Sequence, residues 1–107
     1  MILYQRTDQA DAILHGGFRD AEGAFGFDGV TLQGVFLSDV PVDCNEGAQG
    51  DRLLEGTLPE GCCDFNYYEL VEQDPSSKPY REWCFPAAVL NSHAKIRLLK
   101  KTYNNSP

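Results

Sequence analysis

Acidic residues are missing from the last quarter of this chain, where none follows Glu82. Residues 83–107 carry four basic groups and no acid, a net of +4. Residues 1–82 carry five basic and 16 acidic groups, a net of −11. That acidic bulk repels nucleic-acid backbones and anionic membranes, so neither is expected as a partner. The late basic group, Lys95, Arg97, Lys100 and Lys101, is read as the solvent face of an edge strand, where charge blocks unwanted pairing. A local phosphate contact is the rival reading. Also missing is any run near the roughly 18 apolar residues that a membrane helix needs. The opening Met1-Ile2-Leu3-Tyr4-Gln5-Arg6 lacks the basic start and apolar stretch of a signal peptide. These absences lead us to expect a cytoplasmic protein.

No Cys-x-x-Cys pair occurs. The four cysteines, Cys44, Cys62, Cys63 and Cys84, lack the paired short spacing of a structural zinc site. Without a secretion signal a disulfide framework is not expected either, so free thiols are the reading. Asp43-Cys44-Asn45-Glu46-Gly47 lacks the spacing of a calcium loop, and no metal is expected. No glycine loop matches a phosphate-binding pattern, and no Ser/His/Asp set has a recognisable spacing. Of the two histidines, His15 ends a helix, where a cation suits the dipole, and His93 falls in a turn before the last strand.

What is present suits one domain. The 107 residues, 42% hydrophobic and 23% charged, leave no room for two cores. We expect a single globular domain over residues 1–101 and a disordered tail over 102–107. Met1-Ile2-Leu3-Tyr4 reads as a strand buried on both faces. Thr7 or Asp8 caps a helix in which Ala10, Ile13 and Leu14, with Phe18 beyond, follow helical spacing. Gly16-Gly17 ends it. Residues 19–34 are punctuated by glycine and read as short strands or a shaped loop. Gly34-Val35-Phe36-Leu37-Ser38-Asp39 is a short apolar strand, and Asp43–Asp51 a loop. Leu53–Leu58 is a strand, Glu60–Asn66 a loop, and Tyr67–Val71 a strand or a helical turn. Gln73–Pro79 reads as a linker and Tyr80–Phe85 as a strand. Pro86–Asn91 is one helical turn with proline at its start. Ala94-Lys95-Ile96-Arg97-Leu98 alternates as a half-buried strand. Because helices do not separate the strands, a mostly antiparallel α+β sheet is predicted rather than a parallel one.

Glu82 is the leading candidate for chemistry. It heads the apolar run Glu82-Trp83-Cys84-Phe85, sharing a strand face with Cys84 while Trp83 and Phe85 share the other. The plain alternative is a rim carboxylate paired with Arg81 or Lys78.

The order of segments points further. Leu3-Tyr4-Gln5-Arg6-Thr7 is followed by the helix ending Leu14-His15-Gly16-Gly17-Phe18, then by Gly34-Val35-Phe36-Leu37-Ser38. Arg81-Glu82-Trp83-Cys84-Phe85-Pro86, a turn and Ala94-Lys95-Ile96-Arg97-Leu98-Leu99 close the series. This order resembles the ADP-ribosyltransferase-like fold in its compact bacterial form, over nearly the whole chain. The resemblance implies a split antiparallel sheet holding NAD, as substrate, in a cleft. It implies Glu82 as the carboxylate that stabilises positive charge at the ribose carbon as nicotinamide leaves. Gln5 stands where the histidine-tyrosine-glutamate class has histidine, and Phe36 where it has tyrosine. The amide of Gln5 can still bond a ribose hydroxyl, and Phe36 can still stack on a flat ring. Thr7 completes the first strand's motif, Arg6 is a candidate pyrophosphate contact, and Ser38 a candidate ribose or amide contact. The expected activity is NAD-dependent ADP-ribosyl transfer to a macromolecular acceptor. The alternatives are a non-catalytic nucleotide- or protein-binding module on the same fold, and an acidic immunity-type partner for a basic protein.

Overall fold

A computed structural model describes residues 1–25, 30–41, 52–71 and 79–99. Its elements, in chain order, are β1 (Ile2–Thr7), α1 (Ala10–Gly16), β2 (Ala21–Phe25), β3 (Val30–Ser38), β4 (Arg52–Thr57), α2 (Phe65–Tyr68), β5 (Glu69–Leu70), β6 (Glu82–Phe85), α3 (Ala87–His93) and β7 (Lys95–Leu98). The strands form an antiparallel sheet in the order β5-β6-β3-β1-β4-β7, with β2 pairing on β3 away from that path. The mostly antiparallel α+β reading is what the chain adopts. The loop at 43–51, with Cys44, most of the 73–79 linker and the 102–107 tail lie outside the described residues. Among the described residues, no helix is long and apolar enough to cross a membrane.

One face of the sheet carries the core. Leu3, Val35, Leu37, Trp83 and Phe85 project from β1, β3 and β6, and Phe18, Leu58, Ala87 and Leu90 close over them. Ile13 of α1, Phe65 and Tyr68 of α2, and Val89 of α3 pack against the same cluster, so all three helices cover this face. Trp83, Phe85, Leu3, Leu54, Leu58 and Leu90 are almost wholly buried. Each such side chain contributes roughly 1.5–3 kcal/mol by leaving water.

Local chemistry explains most of the boundaries. α1 ends where Gly17 takes φ 88°, a conformation costly for any residue with a Cβ, and returns its N–H to the Ile13 carbonyl at 2.8 Å. Thr7 Oγ1 accepts from the N–H of Gln9 at 2.9 Å. The hydroxyl therefore organises the turn into α1, as expected, although Gln9 is the capping position. Asp64 caps α2 by accepting from the N–H groups of Asn66 and Tyr67.

Five expectations change, the first being that α3 runs Ala87–His93, past the single turn expected to end at Asn91, and takes in His93. β1 is buried on one face, not two: Leu3 is enclosed while Ile2 is 49% exposed, because only one face lies beneath the helices. β3 begins four residues earlier than its apolar run, because β2 supplies a partner as far as Phe25↔Val30. Residues 65–70 hold both a helical turn and a two-residue strand, since Asp64 caps a turn that begins at Phe65, inside the stretch read as a loop. β7 is mostly exposed rather than half-buried, as an edge strand must be. Lys95 and Arg97 do face solvent there, and Arg97 also pairs with Glu55 on β4, Nη2 to Oε1 3.0 Å.

Candidate functional site

β1 and β3 meet at a single register pair, Tyr4↔Ser38. β2 leaves β3 at Ala21↔Gly34. Between Gly34 and Ser38, among the described residues, β6 is the one strand paired with β3. The sheet is therefore open at this point, and a cavity of about 460 Å³ occupies the opening. That size falls within the range of small-molecule sites. Its walls are Gln5 and Thr7 of β1, Gln9, Ala12, Ile13, Gly16 and Gly17 at and along α1, the segment Phe18-Arg19-Asp20-Ala21, and Gly34 to Phe36 of β3.

Each expected site residue has a definite place. Gln5 and Thr7 line the cavity, and Gln5 Nε2 donates to the Phe36 carbonyl across the opening at 3.2 Å. Phe36 lines it too, with its ring seated where a side chain on Gly23 would lie. Ser38 lies at the single β1–β3 pair, 4% exposed, with Oγ 2.7 Å from the Val40 carbonyl and 3.4 Å from that of Tyr4. It is thus a bracing group at the point where the strands part. Arg6 follows Gln5 on β1 and so points to the opposite face. Arg19, from the glycine-punctuated stretch, is the basic residue that lines the cavity.

Glu82 begins β6, half-buried, opposite Ser38 on β3 and Leu70 on β5. It shares a face with Tyr4, Phe36, Ser38 and Cys84, whereas Trp83 and Phe85 turn to the core. Phe36 and Glu82 are diagonal neighbours on adjacent strands, about 7–8 Å apart in backbone position and within reach of long side chains. Gln5 and Thr7 project from the other face of β1. Of this face's residues Phe36 lines the cavity with Gln5 and Thr7, whereas Glu82 and Ser38 are not among its walls.

Arg81 pairs with Glu69 rather than with Glu82. Its Nε and Nη2 each donate to one oxygen of Glu69 at 2.8 Å, and its guanidinium lies 5.0 Å from the Trp83 ring centre. The Arg81 N–H donates to Asp39 Oδ1 at 3.0 Å, and the Asp39 N–H to the Arg81 carbonyl at 3.0 Å. These contacts extend the β3–β6 ladder one step beyond Glu82 and fix where that carboxylate starts.

Two further side chains hold the cavity's outer wall, and sequence reading missed both. Asn91 of α3 accepts from the Phe18 N–H at 2.8 Å and donates to the Phe18 carbonyl at 3.0 Å. Asp20 accepts from the Ala87 N–H at 2.8 Å, capping α3 in place of Pro86, which has no side chain for that role. Both bonds join residues about seventy positions apart, beyond the range of any local signal.

Compared with known proteins, the chain matches no family model, no curated protein and no solved structure.

Proposed function

We propose that the chain binds a nicotinamide nucleotide in the opening between β1 and β3 and cleaves its nicotinamide bond, in the manner of ADP-ribosyltransferase-like proteins. The observation that carries this reading is the adjacency of three positions distant in sequence. Gln5 bonds the Phe36 backbone across the opening, and Phe36 is the diagonal neighbour of Glu82. These are the three positions on which the resemblance rests, and they stand on the neighbouring strands β1, β3 and β6. In this reading Phe36 offers its ring to the nicotinamide. Arg19 and the polar groups of Gln5 and Thr7 take the ribose and phosphate groups. Glu82 stabilises the positive charge that develops at the ribose carbon as nicotinamide departs. ADP-ribose then passes to a macromolecular acceptor or to water.

A second reading is a binding module on the same framework, without chemistry. It is favoured by the disposition of Glu82, which projects from the face opposite to Gln5 and Thr7. One pair of measurements separates the two. NAD at 100 times its Kd stabilises a protein that binds it by about 2.7 kcal/mol, which a thermal-shift assay reads directly. If NAD and ADP-ribose both leave the melting temperature unchanged, the opening is not a nicotinamide-nucleotide site. If they bind but nicotinamide is not released, the module reading stands.

A further inference from the structure

The turn Glu60–Asp64 places two thiols side by side: Cys62 Sγ and Cys63 Sγ are 3.8 Å apart. Both are half-buried and, like Phe65 and Tyr68, pack against the core cluster. Neighbouring residues on a trans peptide have Cα atoms about 3.8 Å apart. A disulfide ordinarily needs about 4.4–6.8 Å. Direct closure of this pair therefore strains the turn. A shared third atom does not. One centre bonded to both sulfurs closes a larger ring than the direct S–S bond, and the two thiols already stand side by side on the turn.

The coordination number selects the centre. Zinc in a structural site takes four protein ligands. Among the described residues no group of three or more His, Cys, Asp or Glu side chains comes together. The nearest carboxylate in sequence, Asp64, is committed to capping α2. A trivalent metalloid needs two sulfurs and one further substituent. We propose that Cys62 and Cys63 form a two-sulfur clamp for a trivalent arsenical that carries one organic substituent.

The step balances without an oxidant. With phenylarsonous acid, two S–H bonds and two As–O bonds break. Two As–S bonds and two O–H bonds form, and two waters leave. Arsenic stays trivalent and both thiol protons depart in water.

The probe is phenylarsine oxide, added in equal amount to the full, reduced chain and followed by intact mass. The expected result is one phenylarsenic adduct per chain, released by a small dithiol and retained in excess monothiol. Cys62→Ser and Cys63→Ser each abolish the dithiol-specific adduct, while Cys44→Ser and Cys84→Ser keep it. Far-UV circular dichroism shows whether each variant is folded. Two results overturn the proposal: an adduct that survives in the folded Cys62→Ser/Cys63→Ser chain, or a wild-type chain that takes none. Should Cys62→Ser or Cys63→Ser fail to fold, competition on the wild-type chain decides, because release by monothiol alone also overturns it.

Discussion

Asn91 grips both backbone groups of Phe18, taking its N–H at 2.8 Å and giving a hydrogen to its carbonyl at 3.0 Å. A last-turn side chain of α3 thus replaces a strand partner for the segment that walls the cavity. Replacing Asn91 by Ala removes both bonds and leaves two backbone groups of a partly buried segment unsatisfied. The expected loss is about 1–3 kcal/mol for each group that water cannot reach. Urea denaturation measures it. Asn91→Asp keeps the acceptor and loses the donor, so it falls between the wild type and the alanine variant.

Gly34 marks where β3 changes partners from β2 to β6. A Cβ there would lie 2.7 Å from Cys84 Sγ and 2.7 Å from the Phe85 carbonyl, at φ 155°. The carbonyl belongs to the sheet ladder and cannot swing away. Gly34→Ala is therefore expected to cost about 1–3 kcal/mol by overpacking. Gly16→Ala, at a helical position where nothing lies within 4 Å, is the control and leaves the unfolding midpoint unchanged or raised.

Leu90 is 1% exposed and reaches the core from α3. Leu90→Ala is expected to cost about 2–5 kcal/mol, from lost burial and the cavity left behind. Because α3 also carries Asn91, amide exchange at Phe18 should quicken in the same variant. Unchanged exchange there would separate the wall segment from α3 packing.

Alkali should weaken the fold through Cys63. Below pH 9.0, its ordinary value, the thiol is protonated in both folded and unfolded chains, and its contribution is constant. Above that, the unfolded thiol ionises while the folded one resists until about pH 11. The unfolded state is favoured by the difference, so stability falls between pH 9 and 11. Burial raises the Cys84 thiol as well, which acts in the same direction. Melting temperature followed against pH should drop less steeply across this window in Cys63→Ser than in the wild type.

If the chain cleaves NAD, Glu82→Gln preserves shape and removes the charge. The expected effect is a fall of about 10²–10³ in turnover, the range seen when one electrostatic group is lost from a transition-state site. NAD binding should change far less. Wild-type turnover by this variant assigns Glu82 to the sheet ladder alone.

Local chemistry was legible in the sequence. The helix of α1 follows from Ala10, Ile13 and the Gly16-Gly17 stop, and the edge role of β7 from Lys95 and Arg97. Gln5, Thr7 and Phe36, expected at one cleft, line one cavity, whereas Arg6, Ser38 and Glu82, expected there with them, do not. What the sequence concealed depends on distance along the chain. Asp20 capping α3 and Asn91 holding Phe18 join segments that no local pattern connects. Arg6 and Arg19 show the same limit at the cavity. Alternation shows that Arg6 opposes Gln5, yet only the path after α1 brings Arg19 to the wall.

The first strand of the chain lies inside the sheet, between β3 and β4. Those partners end at Ser38 and Thr57, so β1 is made well before either neighbour exists. Until then Leu3 has no covering layer, and both edges of the strand offer unpaired peptide groups. Loop closure across that span is inexpensive, since each doubling of loop length adds about 0.6 kcal/mol. Long-range pairing is nevertheless slow, and slow pairing leaves an apolar strand open to other chains. The cleft wall that is synthesised first is therefore completed late, and early truncation or crowded refolding should yield aggregates seeded at β1.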